Sequence, residues 1–380
     1  MPPCVAIVVE PSSGFTRKVL LGVGEFILGR GPWRVTYIEI DRSGPLPAWL
    51  SSWKGDGMIV RGENPRIPQA LSNFGGPIID ATPSHLLPNA PWVKTDDSEV
   101  ARLAFEHFLE RGFVNYAFCG VANLYWSTRR SAAFSELVRS AGFPCPTLDL
   151  PSDRSGADPS IETLGNWLQK LPKPVAIFAG SDFCAMHVLE ACRRHNLPVP
   201  EEIAVLGAGC DDAINALSAI PPSSIILNPR RVGWEAAALL SQFMQQPGTV
   251  PSEVGVTPLG ITTRQSTDIL AITDPKIARV LRFIREHACE GISVSDVLNA
   301  CPMARRILEM RFKKLLGRSP RQEIERIQLN RVRELLTGTD LSLSEIAERT
   351  GFESHNLSVA FKQKIGISPG EFRKQHGIGK

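Results

Sequence analysis

The chain has 380 residues, 43% of them hydrophobic and 21% charged, with 42 Lys and Arg against 39 Asp and Glu. That length exceeds one ordinary core, so two or three domains are expected, and the composition excludes disordered and collagen-like classes. The near-neutral total hides an asymmetry: residues 1–272 carry 22 Lys and Arg against 26 Asp and Glu, a net of −4, while residues 273–380 carry 20 against 13, a net of +7. A basic small domain beside an acidic large one points to a polyanion as partner of the small one, with a solvated basic face as the alternative.

The first segment, MPPCVAIVVEPSSG, lacks a basic n-region and has only a short apolar run before Glu10, so it is expected to be a strand and not a signal peptide. Further strands are expected at 35–40, 57–60, 77–80, 115–120, 175–180, 203–209 and 223–228, after the first at 5–9. Helices are expected between them at 16–29, 98–111, 127–141, 159–171, 182–196 and 230–245. Short β-branched runs alternating with helices give parallel sheets with helices on both faces. Residues 266–275 have the composition of a linker, and Asp274-Pro275 starts a helix, with a carboxylate cap followed by proline at the first helical position. The eight cysteines, at 4, 119, 145, 184, 192, 210, 289 and 301, form no C-x-x-C pair and no zinc-type cluster. Reduced thiols in a cytoplasm, no metal and no cofactor are the expectation. No run is apolar and long enough for a membrane span.

From Pro275 onward the pattern is helical and repeats once. SVSDVLNACPMARRILEMRFKKLLGRSPRQEI (293–324) and SLSEIAERTGFESHNLSVAFKQKIGISPGEFR (342–373) each open on a serine cap with an acid three residues later. Each continues through a short helix, a turn, a longer helix ending Phe-Lys, a glycine stop and a Ser-Pro restart, and 324–336 is expected to join them as a helix. Two helix-turn-helix units follow, each with a bracing helix and a recognition helix for the major groove. Ile346, Ala347, Gly351 and Phe352 are expected at the corner, and Phe312 and Phe361 in the core. Candidate base contacts are Arg305, Arg306 and Glu309 in the first unit and Ser354, His355, Asn356 and Ser358 in the second, with Lys313 and Lys362 placed for phosphates.

The final hundred residues resemble the AraC-type DNA-binding domain, through Gly366-Ile367-Ser368-Pro369-Gly370-Glu371-Phe372-Arg373 following Phe361-Lys362. Two departures stand out. One residue fewer separates Gly351 from Phe361 than the family usually has, and Val359 stands near a place that is often basic. In the first unit Ala304 occupies a position where a serine cap is common.

The preceding region resembles the sensor core of LacI-type repressors, most specifically in AGSDFCAMHVLEACRRHNLPVPEEIAVLGAG (179–209). The resemblance implies a two-lobed, periplasmic-binding-protein-like α/β domain over 1–265, then the linker 266–275 and an all-α domain over 276–380. The first lobe is expected at about 4–112 and 229–248, and the second at about 113–228 and 249–265. A LacI-type core followed by an AraC-type domain is similar to the layout of the bacterial xylose operon regulators. The resemblance further implies a homodimer and a sugar effector, xylose or a related carbohydrate. Arg17, Trp126, Arg130 and Asp182 would line its cleft. An indole face stacks on sugar C–H groups, and Arg and Asp bond paired hydroxyls. Each has a plainer alternative: Asp182 as a helix cap, Arg130 as a surface charge, Trp126 as core. Gly209 stands where relatives place a sugar-binding acid, with Asp211 two residues on.

The resulting expectation is a ligand-controlled, sequence-specific regulator that binds double-stranded operator DNA. A regulator whose core has lost or changed its effector is the alternative. An α/β enzyme is disfavoured because no G-x-S-x-G, phosphate loop or metal cluster is present. A solute-binding protein is disfavoured by the basic tail.

Overall fold

The computed structural model describes residues 1–11, 14–151, 158–209, 215, 217–246, 251–269, 271, 274–339 and 341–376. They form two compact units, Met1–Ile269 and Leu270–Lys380.

The first unit holds two six-stranded sheets. One has the order β11-β5-β4-β3-β1-β2 and the other β12-β10-β9-β8-β6-β7. In the first lobe these are β1 (Cys4–Val9), β2 (Arg34–Glu39), β3 (Gly57–Arg61), β4 (Ile78–Asp80), β5 (Trp92–Thr95) and β11 (Glu253–Val256), all parallel. In the second they are β6 (Tyr116–Val121), β7 (Thr147–Leu150), β8 (Val175–Ala179), β9 (Ile203–Ala208), β10 (Ser223–Ile226) and β12 (Gly260–Thr262). Only β12 runs antiparallel to its neighbour among the described strands. β6, β8 and β9 are buried at every residue, which is why they read as unbroken apolar runs.

Helices cover the faces: α1 (Gly14–Arg30), the short α2 (Ile67–Ala70), α3 (Asp97–Leu109), α4 (Tyr125–Ser140), α5 (Asp158–Lys170), α6 (Asp182–Arg194) and the helix Pro229–Gln245. α1 and Pro229–Gln245 pack backbone to backbone through two glycines. A Cβ on Gly22 would lie 1.9 Å from the Arg230 carbonyl oxygen, and one on Gly233 1.9 Å from that of Val19.

Two boundaries differ from expectation. α3 belongs to the second lobe, because His107 on it and Arg111 just past its end bond to Thr267, and Asp97 bonds to Arg130. β11 belongs to the first sheet, paired with β5 from Glu253↔Trp92 to Val256↔Thr95. The chain therefore changes lobe at three places, near 95–97, 226–229 and 256–260. The assigned linker also starts too early. Ser266 and Thr267 are wholly buried in the second lobe. There Ser266 Oγ donates to Val205 O at 2.5 Å, and Thr267 Oγ1 donates to Ser223 Oγ at 2.7 Å.

The second unit is helical: Pro275–His287, Val294–Ala300, Arg305–Leu316, Pro320–Gly338, Leu343–Thr350, Ser354–Ile365 and Pro369–His376. Asp274 caps the first of these ahead of Pro275, and complete capping boxes open three others at Ser293/Asp296, Ser319/Gln322 and Ser342/Glu345.

Candidate functional site

In the first unit a cavity of about 620 Å³ opens between the lobes. Its first-lobe wall is built from residues at or just past the carboxyl ends of parallel strands: Glu10 after β1, Arg42 beyond β2, Arg61 and Glu63 at the end of β3, and Lys94 on β5. The start of α1 adds Phe15, Thr16 and Arg17. From the second lobe come Asp97, Trp126, Arg130, Asp182, Phe183 and Gly209. Arg17, Trp126, Arg130, Asp182 and Gly209, expected in one cleft, are thus brought together, while Asp211 lies outside the described residues.

Arg130 is buried, not a surface charge. Its Nε donates to Asp97 Oδ1 at 2.8 Å, its Nη1 donates to Gly180 O at 2.7 Å, and the guanidinium sits 5.0 Å from the Trp126 ring centre. The three contacts fix the cation and the indole as one surface facing the cavity. Asp182 is not the cap of α6. That role is Ser181's, whose Oγ accepts from Cys184 N at 3.3 Å. The Asp182 carboxylate accepts instead from Ser224 Oγ at 2.6 Å and Asn215 Nδ2 at 3.4 Å. Gly209 has φ +144°, and a Cβ there would lie 3.1 Å from Asp182 Oδ2. An acid at 209 would combine a strained backbone with a second carboxylate against the first.

Arg17 is exposed, its Nη1 donating to Pro11 O at 3.0 Å. Sequence reasoning missed Phe15, Arg42, Arg61, Glu63 and Lys94. Arg61 donates to Ala81 O at 2.6 Å and lies 4.8 Å from the Phe15 ring centre. Burial lowers its pKa to about 10, so it stays charged at neutral pH, and burial raises that of Glu63. Lys94 pairs with Glu253 at 2.7 Å and sits 4.2 Å from the Trp92 ring centre.

In the second unit Arg305–Leu316 and Ser354–Ile365 are the helices expected to serve in recognition. Leu308, Phe312 and Leu316 bury one face of the first, and Leu357 and Phe361 anchor the second. The Phe361 ring meets Phe372 edge-on at 5.4 Å, so the Gly-Ile-Ser-Pro-Gly-Glu-Phe run closes the core beneath the second helix. Neither recognition helix has a side-chain cap: Ala304 and Glu353 hold the cap positions.

Arg305, Arg306 and Glu309 are exposed, but Arg305 Nε pairs with Glu309 Oε1 at 3.2 Å. Helical spacing sets Arg306, Met310 and Lys314 opposite the buried face. Met310, 60% exposed, and Ile307, 42% exposed, were missed. The available signal was an apolar pair lying off a stripe that Leu308, Phe312 and Leu316 already complete. Lys313 Nζ donates to Gly317 O at 3.1 Å. Asn356 is exposed and bonds Glu353 at 2.8 Å, and Ser358 and Lys362 are exposed. Ser354 and His355 open the second helix, but their side chains lie outside the described residues.

Residues 105–267 match the periplasmic binding protein-like domain and residues 298–375 a helix-turn-helix domain. The xylose operon regulatory protein of Escherichia coli (strain K12) is 30% identical over 379 residues, covering 97% of this chain and 96% of that protein. The chain belongs to the family of xylose operon regulatory proteins. Its counterpart in Haemophilus influenzae is 28% identical over 378 residues, covering 97% of each. The solved structure of a xylose-binding transcription activator matches 99% of both chains with a TM-score of 0.81 and 29% identity. Like other xylose operon regulatory proteins, the chain combines a periplasmic-binding-protein-like sensor with an AraC-type helix-turn-helix domain and acts in transcription regulation. Among the described residues no helix is long and apolar enough to cross a membrane.

Proposed function

We propose that the chain is a cytoplasmic, homodimeric regulator that binds operator DNA through both helix-turn-helix units and is controlled by a sugar held between the lobes of its sensor, with no catalytic step. The observation that carries this is the cavity itself: the clamped Trp126–Arg130 surface on one side of about 620 Å³ and the Asp182 carboxylate beside it. A stacking face, a fixed cation and an acceptor suit a polyhydroxylated ring. A ligand there shifts the lobe equilibrium only by its differential affinity for the two arrangements. Arg17 and Gly209 line the same cavity and are assigned to the ligand, and Asp211 is assigned with them from the sequence.

On the DNA side, Arg306 is assigned to base edges, with Arg305 and Glu309 beside it. Ser354, His355, Asn356 and Ser358 are assigned to the second half-site, and Lys313 and Lys362 to phosphates. The test is selection of a binding sequence from random DNA, followed by titration with and without sugars. Arg306→Ala is expected to cost about 1–3 kcal/mol on the selected site and to relax its sequence preference. Lys362→Ala is expected to weaken selected and random DNA alike and to flatten the salt dependence by about one phosphate. Failure to enrich any sequence would overturn the regulator.

A regulator without an effector is the second possibility, favoured by one observation: Asp182 is already bonded to Ser224 and Asn215. A thermal-shift panel separates the two, since a ligand at 100 times its Kd adds about 2.7 kcal/mol.

A further inference from the structure

The sensor sequence is acidic overall, with 22 Lys and Arg against 26 Asp and Glu in residues 1–272, yet its cavity is not. Arg17, Lys18, Arg42, Arg61, Lys94 and Arg130 line it against four carboxylates. Those carboxylates are engaged within the protein. Asp97 is held by Arg130 at 2.8 Å and Asp182 by Ser224 at 2.6 Å. Glu10 accepts from Glu63 N at 3.3 Å, and Glu63 accepts from Ser84 N at 3.2 Å beside Arg61.

Three of the cations are likewise matched: Arg130 by Asp97, Lys94 by Glu253, and Arg61 by Glu10, Glu63 and Asp80. Arg17, Lys18 and Arg42 are left. All three are exposed on the first-lobe wall. Arg17 bonds only a carbonyl among the described residues, Lys18 makes no hydrogen bond or ion pair there, and Arg42 acts on Glu63 without pairing to it. The 17-residue helix α1 opens at the same wall, with no acid in its first turn, so its positive end adds to the field.

Buried charges that cancel and rim charges that do not are the pattern of a site completed by its ligand's own charge. We infer that the effector is an anionic sugar, its carboxylate or phosphate held at the first-lobe rim by Arg17 and Arg42, with its ring on the Trp126–Arg130 surface. This rests on the sugar-controlled function proposed above and narrows its ligand class. Arginine is suited to the task because its planar fork matches both oxyanions.

The experiment is isothermal titration of the full chain with D-xylose and D-glucose, their aldonates, and their terminal phosphates. At least one anion is expected to bind about tenfold or more tightly than its neutral parent, the worth of one charge-assisted bond. The aldonate and phosphate arms decide between the two oxyanions. Arg17→Gln and Arg42→Gln, both at exposed positions, are each expected to lower the ratio of anion to neutral affinity by about tenfold, with Tm unchanged. A neutral sugar that binds as tightly as both of its anions overturns the inference and leaves the sugar-controlled function standing. So does a ratio that survives both substitutions. No binding by any of the six overturns both.

Discussion

Arg130 shows how one side chain both builds and lines a site. Its bonds to Asp97 and Gly180 tie α3, α4 and the end of β8 together, and the same bonds hold its plane over Trp126. From the sequence alone it competes with a surface charge, because nothing local reveals that Asp97, 33 residues earlier, packs against it. The first-lobe wall follows a rule visible in the sequence. Glu10, Arg42, Arg61 and Lys94 sit at or soon after strand ends, where parallel sheets present their ligand sites.

His107 carries a residue-scale prediction. Burial, with Arg111 nearby, pushes its pKa down to about 3, and the ring bonds Thr267 Oγ1 at 2.8 Å. The folded protein therefore keeps it neutral while the unfolded chain protonates near the ordinary 6.5. Above that value neither state binds the proton. As pH falls from about 6.5 towards about 3 the unfolded state gains it first, and stability drops by about 1.4 kcal/mol per pH unit. His107→Gln is expected to remove this limb from urea midpoints measured between pH 7 and about 4.5. Equal slopes in both proteins would place the titration elsewhere.

Among elements, the long buried strands and the amphipathic helices were readable within a few residues. β5, β7, β11 and β12 were not. They have three or four residues each, follow proline- or glycine-rich stretches, and owe their strand state to a neighbour's free edge rather than to propensity. The capping boxes of the second unit were legible because they are local.

What the repeat could not reveal is Gln328. From the linking helix its Nε2 donates to Ala288 O at 2.9 Å and Gly351 O at 3.4 Å, joining the turn before the first helix-turn-helix unit to the corner of the second. Gln328→Met keeps the shape and removes the donor, so Gly351 O loses this bond and Ala288 O keeps only the Gly291 N–H at 3.3 Å. The expected loss is about 1–3 kcal/mol in the unfolding of this unit, measured by urea titration of the full chain. A loss within a few tenths would show the bonds to be dispensable.

At the scale of the whole molecule, the sensor ends later than its composition suggests. Pro-, Ser- and Thr-rich sequence looks like a linker, but Ser266 and Thr267 spend their hydroxyls inside the second lobe. We expect subtilisin to cut after Ile269 and before Asp274, read by mass spectrometry, with residues 266–268 kept on the sensor fragment. A first cut ahead of Ser266 would contradict the assignment.

The three lobe crossings also set an order of assembly on the ribosome. The first lobe begins at Cys4, but its last strand, β11, is not made until residue 256. At usual synthesis rates the edge of β5 waits on the order of ten seconds for that partner. The strands of the second lobe, except β12, emerge within that interval. The lobe started first thus stays open until the second is nearly built, and β12 then completes the second. A nascent chain halted near residue 246 would carry a nearly complete second lobe beside a first lobe whose sheet is still open along Trp92–Thr95, and that open edge is the surface a chaperone or a neighbouring chain would meet.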